Sequence, residues 1–440
     1  MIYFFYNLVL YTAWPLYRVA ARFQPRIRLF QQSRSEGRAA LLQWFAEHRA
    51  ASVPLYWLHG SSVGELDQAL AQAREIRNHE QHCQIVLTCF SLSARPRVIE
   101  GIDLFCYLPL DFSRIWKQLV LLRQPAAFIT MTWDLFPNLI RVLSKAGTRV
   151  FLASASISAG NWRLRPLGSR LFQPVYRQLK GIGAVNAQNC SRFKTLMPVK
   201  DLVQKTGDSR FDAIFSKLEG SVLEPAAKAF FQQWQRQYEQ RLILASTYDN
   251  DEELLIPILS NANQFQPDCG ILIFAHHIDQ QHLQRIADRL TEYQQDFGRL
   301  SQQGSTGLDP ATSEPALRAL PRWVLVDQMG LLAQAYRYCD FCYVGGGFQK
   351  RVHNVAEAAA LAKPVITGPN IDWSGIALEL EALGSLQRCH TSADLQQALS
   401  TWYMDRAACQ SAGKKAAQYL ASSRGASKRF YQAFLDQDQP

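Results

Sequence analysis

From Pro54 onward, short apolar runs alternate with longer stretches in which apolar residues recur at helical spacing. The runs Leu55–Leu58, Gln84–Cys89, Phe128–Met131, Val150–Ala153 and Gly181–Val185 predict strands. Helices are expected between them, among them Leu66–Asn78 and Asn138–Lys145. After the polar helical stretch Glu224–Gln240, a second series of strands follows at Leu242–Ala245, Gly270–Phe274, Trp323–Val326, Phe341–Val344 and Pro364–Thr367. Strands that regularly alternate with helices predict a parallel sheet covered on both faces. Two such series predict two Rossmann-like doubly wound domains facing each other across a cleft, with ligands beyond the carboxyl ends of the strands. Ser301–Pro315 breaks the alternation: it is rich in Ser, Gly, Thr and Pro, has no periodicity, and is expected as a mobile surface loop. A final helix, Met404–Ala433, is long enough to pack back towards the first domain.

The first 17 residues follow another pattern. They carry no charge, and Tyr3, Tyr6, Tyr11, Tyr17 and Trp14 supply interfacial aromatics. Arg18, Arg22, Arg26, Arg28, Arg34 and Arg38 follow, with Glu36 as the only acid among them. A secretory signal would put charge first and a cleavage site last, and neither is present. An aromatic, apolar helix backed by arginines fits an anchor lying on an anionic leaflet, with the following domain in the cytoplasm. The stretch is also near the shortest that spans a bilayer, so spanning and lying on the surface both stay open. The expected division is therefore 1–40 for anchor and basic segment, 41–218 and 219–403 for the two domains, and 404–440 for the returning helix.

Composition narrows the class. The chain has 440 residues, 48% of them hydrophobic, which excludes a disordered protein and suits two domains of about 150–200 residues. A formal charge of +10 points to an anionic partner. No nucleic-acid-binding motif accompanies the arginines, so a phosphorylated ligand or an acidic membrane surface is expected and nucleic acid is not. Nine scattered cysteines form no disulfide framework, and Cys339-x-x-Cys342 has no second pair to complete a zinc site.

The candidate chemistry collects at strand ends. Gly345-Gly346-Gly347 follows an apolar strand and precedes a helix expected to open at His353-Asn354, with Glu357 in its first turn. Such glycines let backbone approach an anion, and a helix N-terminus beside them supplies unpaired N–H groups. Glu357 is placed to accept from a ribose diol, although a tight turn before a capped helix would look the same. Ser246-Thr247-Tyr248, Ala275-His276-His277 and Asp327-Gln328-Met329-Gly330 end neighbouring strands and are expected at the same edge. A metal is not expected at His276, His277 and His353, because adjacent strand residues point to opposite faces. In the first domain, His59-Gly60-Ser61-Ser62-Val63-Gly64-Glu65 leaves a strand for a helix. Glu65, at a positive helix end, suits a general base, or simply a carboxylate complementing the dipole.

Taken together, these motifs resemble those of the 3-deoxy-D-manno-octulosonic acid (Kdo) transferases of lipopolysaccharide synthesis, membrane-associated glycosyltransferases of the GT-B fold. The resemblance runs from Leu10 to near Gly384. The family's His-x-Ser-Ser-x-Gly-Glu is similar to His59–Glu65, which implies Glu65 as base and His59, Ser61 and Ser62 as acceptor or anion contacts. Pro109-Leu110-Asp111 matches a family motif, and Thr132-Trp133-Asp134 with Pro137-Asn138 resembles its Glu-Thr-Glu-x-Trp-Pro-Asn, placing Asp134 beside the catalytic step. Gly207-Asp208-Ser209-Arg210 resembles Gly-Asn-x-Lys and implies Arg210 as an anion contact. The resemblance assigns Ser246, Thr247, His276, His277, Met329, Gly330, Gly345, Gly346, Gly347, His353, Asn354 and Glu357 to the nucleotide sugar. It implies CMP-Kdo as donor, a lipid A precursor as acceptor, no cofactor and no metal, and a place at the cytoplasmic face of the inner membrane. The departures are specific. Thr132 replaces an acid, His276 stands where the family has arginine, and Ser154-Ala155-Ser156 lacks another. They leave open a different donor or acceptor, or a catalytically weak membrane-bound homologue.

Overall fold

The computed structural model describes residues 2–220, 222–261, 268–302 and 319–436. Of the Ser301–Pro315 segment, Ser301 and Gln302 complete a 3-10 turn, and the rest lies outside the described residues. The chain packs as two compact units, Met1–Ala213 with Ser423–Pro440, and Ile214–Ser422.

The first unit is built on β1 (Leu55–Gly60), β2 (Gln84–Cys89), β3 (Leu104–Tyr107), β4 (Ala127–Met131), β5 (Arg149–Ala155), β6 (Gly181–Ala184) and β7 (Val203–Lys205). Their spatial order is β3-β2-β1-β4-β5-β6-β7, and every pairing is parallel. Successive residues of a strand face opposite sides, and the core divides accordingly. Leu55 and Trp57 pack with Val86, Phe128 and Leu152 in one apolar cluster, Tyr56 and Leu58 with Leu87, Ile129 and Phe151 in another. The chain winds outward from β1 in one direction and from β4 in the other. The β1/β4 pair is therefore the topological switch point.

The second unit repeats the arrangement with β8 (Gln240–Thr247), β9 (Cys269–Ala275), β10 (Phe297–Arg299), β11 (Trp323–Leu325), β12 (Phe341–Val344), β13 (Val365–Thr367) and β14 (Leu386–Arg388). Their order, β10-β11-β9-β8-β12-β13-β14, is again all parallel, and the switch falls between β8 and β12. Cys339 and Cys342 are buried in this unit as core thiols, and all nine cysteines are free.

The N-terminal segment forms two helices, Ile2–Phe23 and Pro25–Glu47. The first buries Ile2 and exchanges amide hydrogen bonds between Asn7 and Asn138 of the first unit. Its other face leaves Phe4, Phe5, Leu8, Val9, Leu16 and Phe23 exposed. Among the described residues, no helix is long and apolar enough to cross a membrane. The single helix expected over Met404–Ala433 is divided. Arg406–Ser422 ends before Gly425, whose φ of 82° reverses the chain, and Ala426–Phe434 packs within the first unit. There Tyr431 stacks on His79 at 4.2 Å and donates its hydroxyl to Glu80.

Candidate active site

At the first switch point, β1 delivers His59 and β4 delivers the Thr132–Asp134 turn. The Val63–His79 helix begins there with a capping box: Ser62 Oγ accepts from the Glu65 N–H, and Glu65 Oε2 accepts from Ser62 N at 2.8 Å and Ser62 Oγ at 3.0 Å. The helix-end role and the chemical candidate are thus the same carboxylate. Asp134 is its neighbour. Burial first, then the Glu65 charge, push the Asp134 carboxyl up to about 6, against a hydrogen bond from Ser61 and the Arg163 guanidinium. A carboxyl raised by burial beside a second acid is an arrangement by which paired carboxylates can divide acid and base work.

His59, expected as an acceptor or anion contact, is fully buried and supports the site from beneath. Its Nδ1 lies 3.0 Å from Thr88 Oγ1 and its Nε2 3.0 Å from Ser61 Oγ, and its ring meets the edge of Phe136. Burial, reinforced by Arg34, lowers its pKa to about 3, so the ring is neutral and joins two hydroxyls as donor on one side and acceptor on the other. Ser61 and Ser62 reach the surface at this edge. Arg210 lies on the Ser209–Gly220 helix beside Asp208, whose carboxylate accepts from Gln68 Nε2 at 2.7 Å, and Gln68 accepts from Thr132 Oγ1. Asp111, buried, accepts from Trp116 Nε1 and from the N–H groups of Asn138 and Leu139, capping the helix that follows the Asp134 turn.

Backbone strain marks both edges. Thr132 (φ 63°), Ser154 (φ 48°) and Ser246 (φ 51°) adopt left-handed conformations at the carboxyl ends of β4, β5 and β8. Such residues cost about 1–3 kcal/mol each and concentrate at functional sites.

At the second switch point, β12 runs into Gly345–Gly347. Gly346 has φ 86°, and a Cβ on Gly347 would stand 2.6 Å from Gly368 N, so neither position admits a side chain. Buried Asp251 fixes this turn: its carboxylate accepts from Gly346 N at 3.1 Å, Tyr248 N at 3.0 Å and Tyr343 OH at 2.5 Å. Three rings gather above. His276 stacks on His353 at 4.3 Å, and Tyr248 lies over both and 3.1 Å from His353 Nε2 through its hydroxyl. Burial and the neighbouring histidines lower His276. Burial, His276 and Arg351 lower His353 to about 4. His277 is exposed beside them.

Thr247 is fully buried and donates its hydroxyl to Glu252 at 2.7 Å, so it serves as a support and offers no side chain to a ligand. Glu252 also meets His282 Nε2 at 3.0 Å. Asp249, Glu252 and His282 lie close enough together to hold a cation, but Arg285 and Arg289 already face these carboxylates, which makes the group an ion-pair network. The helix expected to open at His353-Asn354 begins two residues later, at Ala356, whose N–H is accepted by the Asn354 side chain. Glu357 is buried in its first turn, paired with Lys217 and accepting from Asn354 Nδ2. Met329 is exposed, and Gly330 has φ 85°. Glu252, His282 and Lys217 carry no sequence signal that sets them apart from other acids and bases. Asp251 alone has one, as an acid three residues after the helix cap Tyr248, whose N–H its carboxylate accepts.

The family model described as 3-deoxy-D-manno-octulosonic-acid transferase (kdotransferase) matches residues 22–213. The 3-deoxy-D-manno-octulosonic acid transferase of Haemophilus influenzae is 26% identical over 384 residues, 85% of this chain and 84% of that protein. The enzyme of the same name from Chlamydophila psittaci is 24% identical, covering 76% of this chain and 73% of that one. Among solved structures, the UDP-GlcNAc 2-epimerase of Neisseria meningitidis superposes with a TM-score of 0.58 at 13% identity, covering 87% of this chain and all of that one. Such a likeness carries the fold alone, the two doubly wound units of the GT-B class. The family model over much of the first unit, the relatives over most of the chain and the motifs at both switch points all show that this chain is similar to the Kdo transferases, a family of glycosyltransferases, at the distance of a divergent relative.

Proposed function

We propose that the chain transfers Kdo from CMP-Kdo to a hydroxyl of a lipid A precursor, by inverting and metal-independent transfer, at the cytoplasmic face of the inner membrane. The observation that carries this reading is topological. Each unit gathers its polar, strained and motif-bearing residues at its own switch point, where open α/β sheets bind ligands. In the first unit, Glu65 takes the proton of the acceptor hydroxyl, whose oxygen bonds to the anomeric carbon of Kdo. The bond from that carbon to the phosphate oxygen breaks, and its electron pair leaves with CMP. Asp134 shares the proton load beside Glu65, and Ser61 and Ser62 line the acceptor side. Arg210 supplies a cation at the same edge.

In the second unit, the Gly345–Gly347 backbone, Ser246 and the rings of His276 and His353 receive the phosphate. Asn354 and Glu357 hold the ribose, His277 and Met329-Gly330 close the rim, and Thr247 braces the floor. The exposed apolar face of the Ile2–Phe23 helix, with Arg18 and Arg22 behind it, docks the enzyme where its lipid acceptor lies.

The test is CMP release by the detergent-solubilised protein given fresh CMP-Kdo and a tetra-acylated lipid A precursor, with the lipid product read by mass. A gain of one or more Kdo units is expected. CMP binding without transfer would move the assignment to another donor or acceptor. That second reading has an observation of its own, the uncharged His276 ring at the phosphate position.

A further inference from the structure

Beside Asp134 the first unit holds one guanidinium on a rigid perch. Arg163 lies in the 3-10 turn Trp162–Leu164, where its N–H is accepted by the Asn161 side chain at 3.0 Å. The turn is pressed against the Pro166–Tyr176 helix at Gly168, where a Cβ would stand 2.1 Å from Trp162 O. The guanidinium donates from Nη1 to Trp133 O at 2.9 Å, with its centre 5.4 Å from the Trp133 ring and 4.7 Å from the Phe172 ring. Its charge acts on Asp134, which in turn feels Glu65. Among the described residues, no carboxylate lies within ion-pair distance of Arg163. Holding a long arginine side chain in one geometry costs rotamer entropy. Here the side chain is fixed by aromatic faces and a carbonyl, with no carboxylate in direct contact with the guanidinium, and its planar fork is suited to paired anionic oxygens. Trp133, exposed, sets apolar surface beside it.

We propose that Arg163 is a specificity-determining residue of this site that binds an anionic oxygen group of a substrate, phosphate or carboxylate, with the Trp133 ring as its apolar wall. The proposal rests on the transferase reading above, whose acceptor carries phosphates and whose donor sugar carries a carboxylate.

The test uses the full chain in detergent, comparing wild type with Arg163→Gln and Arg163→Lys. Steady-state kinetics are run with each substrate varied, using acceptors with and without phosphate. Arg163→Gln is expected to raise one KM about ten- to a hundredfold, the weight of a charge-assisted hydrogen bond, with CMP affinity and Tm unchanged and with partial rescue by Lys. A rise in acceptor KM that vanishes with the dephosphorylated lipid assigns the phosphate, and a rise in CMP-Kdo KM assigns the sugar carboxylate. Unchanged KM values would overturn the proposal. So would a joint fall in kcat and Tm matching that of Gly168→Ala, which would make Arg163 a brace for its turn. Binding of phosphorylated lipid and of CMP-Kdo, each measured alone, keeps the result decisive if the wild type fails to turn over. No turnover overturns the transferase reading, and equal binding by wild type and Arg163→Gln overturns this one.

Discussion

A carboxyl that titrates near 6 beside a second acid makes a definite statement about pH. Asp134 is raised by burial and by Glu65, so it gains a proton as pH falls through about 6. If it shares the proton load in its ionised form, kcat/KM rises with pH through that value, and Asp134→Asn removes the inflection while lowering the plateau. Replacing Glu65 by Ala should cut kcat by about 10²–10⁴ with CMP affinity unchanged, measured by turnover and calorimetry. His276 and His353 lead to a prediction of the opposite sign. Both are held below the ordinary imidazole range and are uncharged at neutral pH. An anionic phosphate favours their charged forms, so CMP affinity should rise as pH falls from about 7.5 to 5.5. Calorimetry in buffers of different ionisation heat would register the proton taken up, and His276→Arg should flatten the dependence.

Elements position these groups through caps and close approaches. Ser62 opens the helix that carries Glu65, and two of its hydrogen bonds end on that carboxylate. Ser62→Ala should cost about 1 kcal/mol of stability in urea unfolding and loosen Glu65, so kcat falls more than KM rises. Gly347→Ala forces a Cβ onto the Gly368 backbone and should abolish CMP binding while the first unit keeps its structure by hydrogen exchange. The strands outside the two expected series share a place in the fold. Leu104–Tyr107, Val203–Lys205, Phe297–Arg299 and Leu386–Arg388 are the four outermost strands of the two sheets. An edge strand is covered on fewer sides, so residues such as Gln204, Lys205, Gly298, Arg299 and Gln387 interrupt three of the four, whereas Leu104–Tyr107 is apolar throughout and its run was legible in the sequence.

For the whole molecule, charge and apolar exposure converge on the N-terminal helices. The face formed by Phe4, Leu8 and Leu16 is exposed, and arginines follow it closely. The protein should float with vesicles containing anionic lipid. Binding should weaken as salt screens the arginines and fall sharply on replacing Phe4, Leu8 and Leu16 together by Ser. Retained flotation by that variant would remove this helix from the docking surface.

The ten inner strands, the two doubly wound units and the loops that carry Glu65, Asp134 and Gly345–Gly347 follow from sequence alone, because buried parallel strands demand long apolar runs and turns beside ligands demand glycine. What each polar residue does there was decided by tertiary structure. His59 and Thr247 read as ligand contacts by their motifs, yet the strand pleat turns them into the core, where their hydrogen bonds hold Ser61 and Glu252. Arg163 stands 29 residues beyond Asp134 in the chain, and only the packing of a 3-10 turn against Gly168 sets its charge beside that carboxyl. Local periodicity reports which face of an element is apolar. Which distant side chains meet at a strand end depends on register and helix packing, and those interactions are non-local.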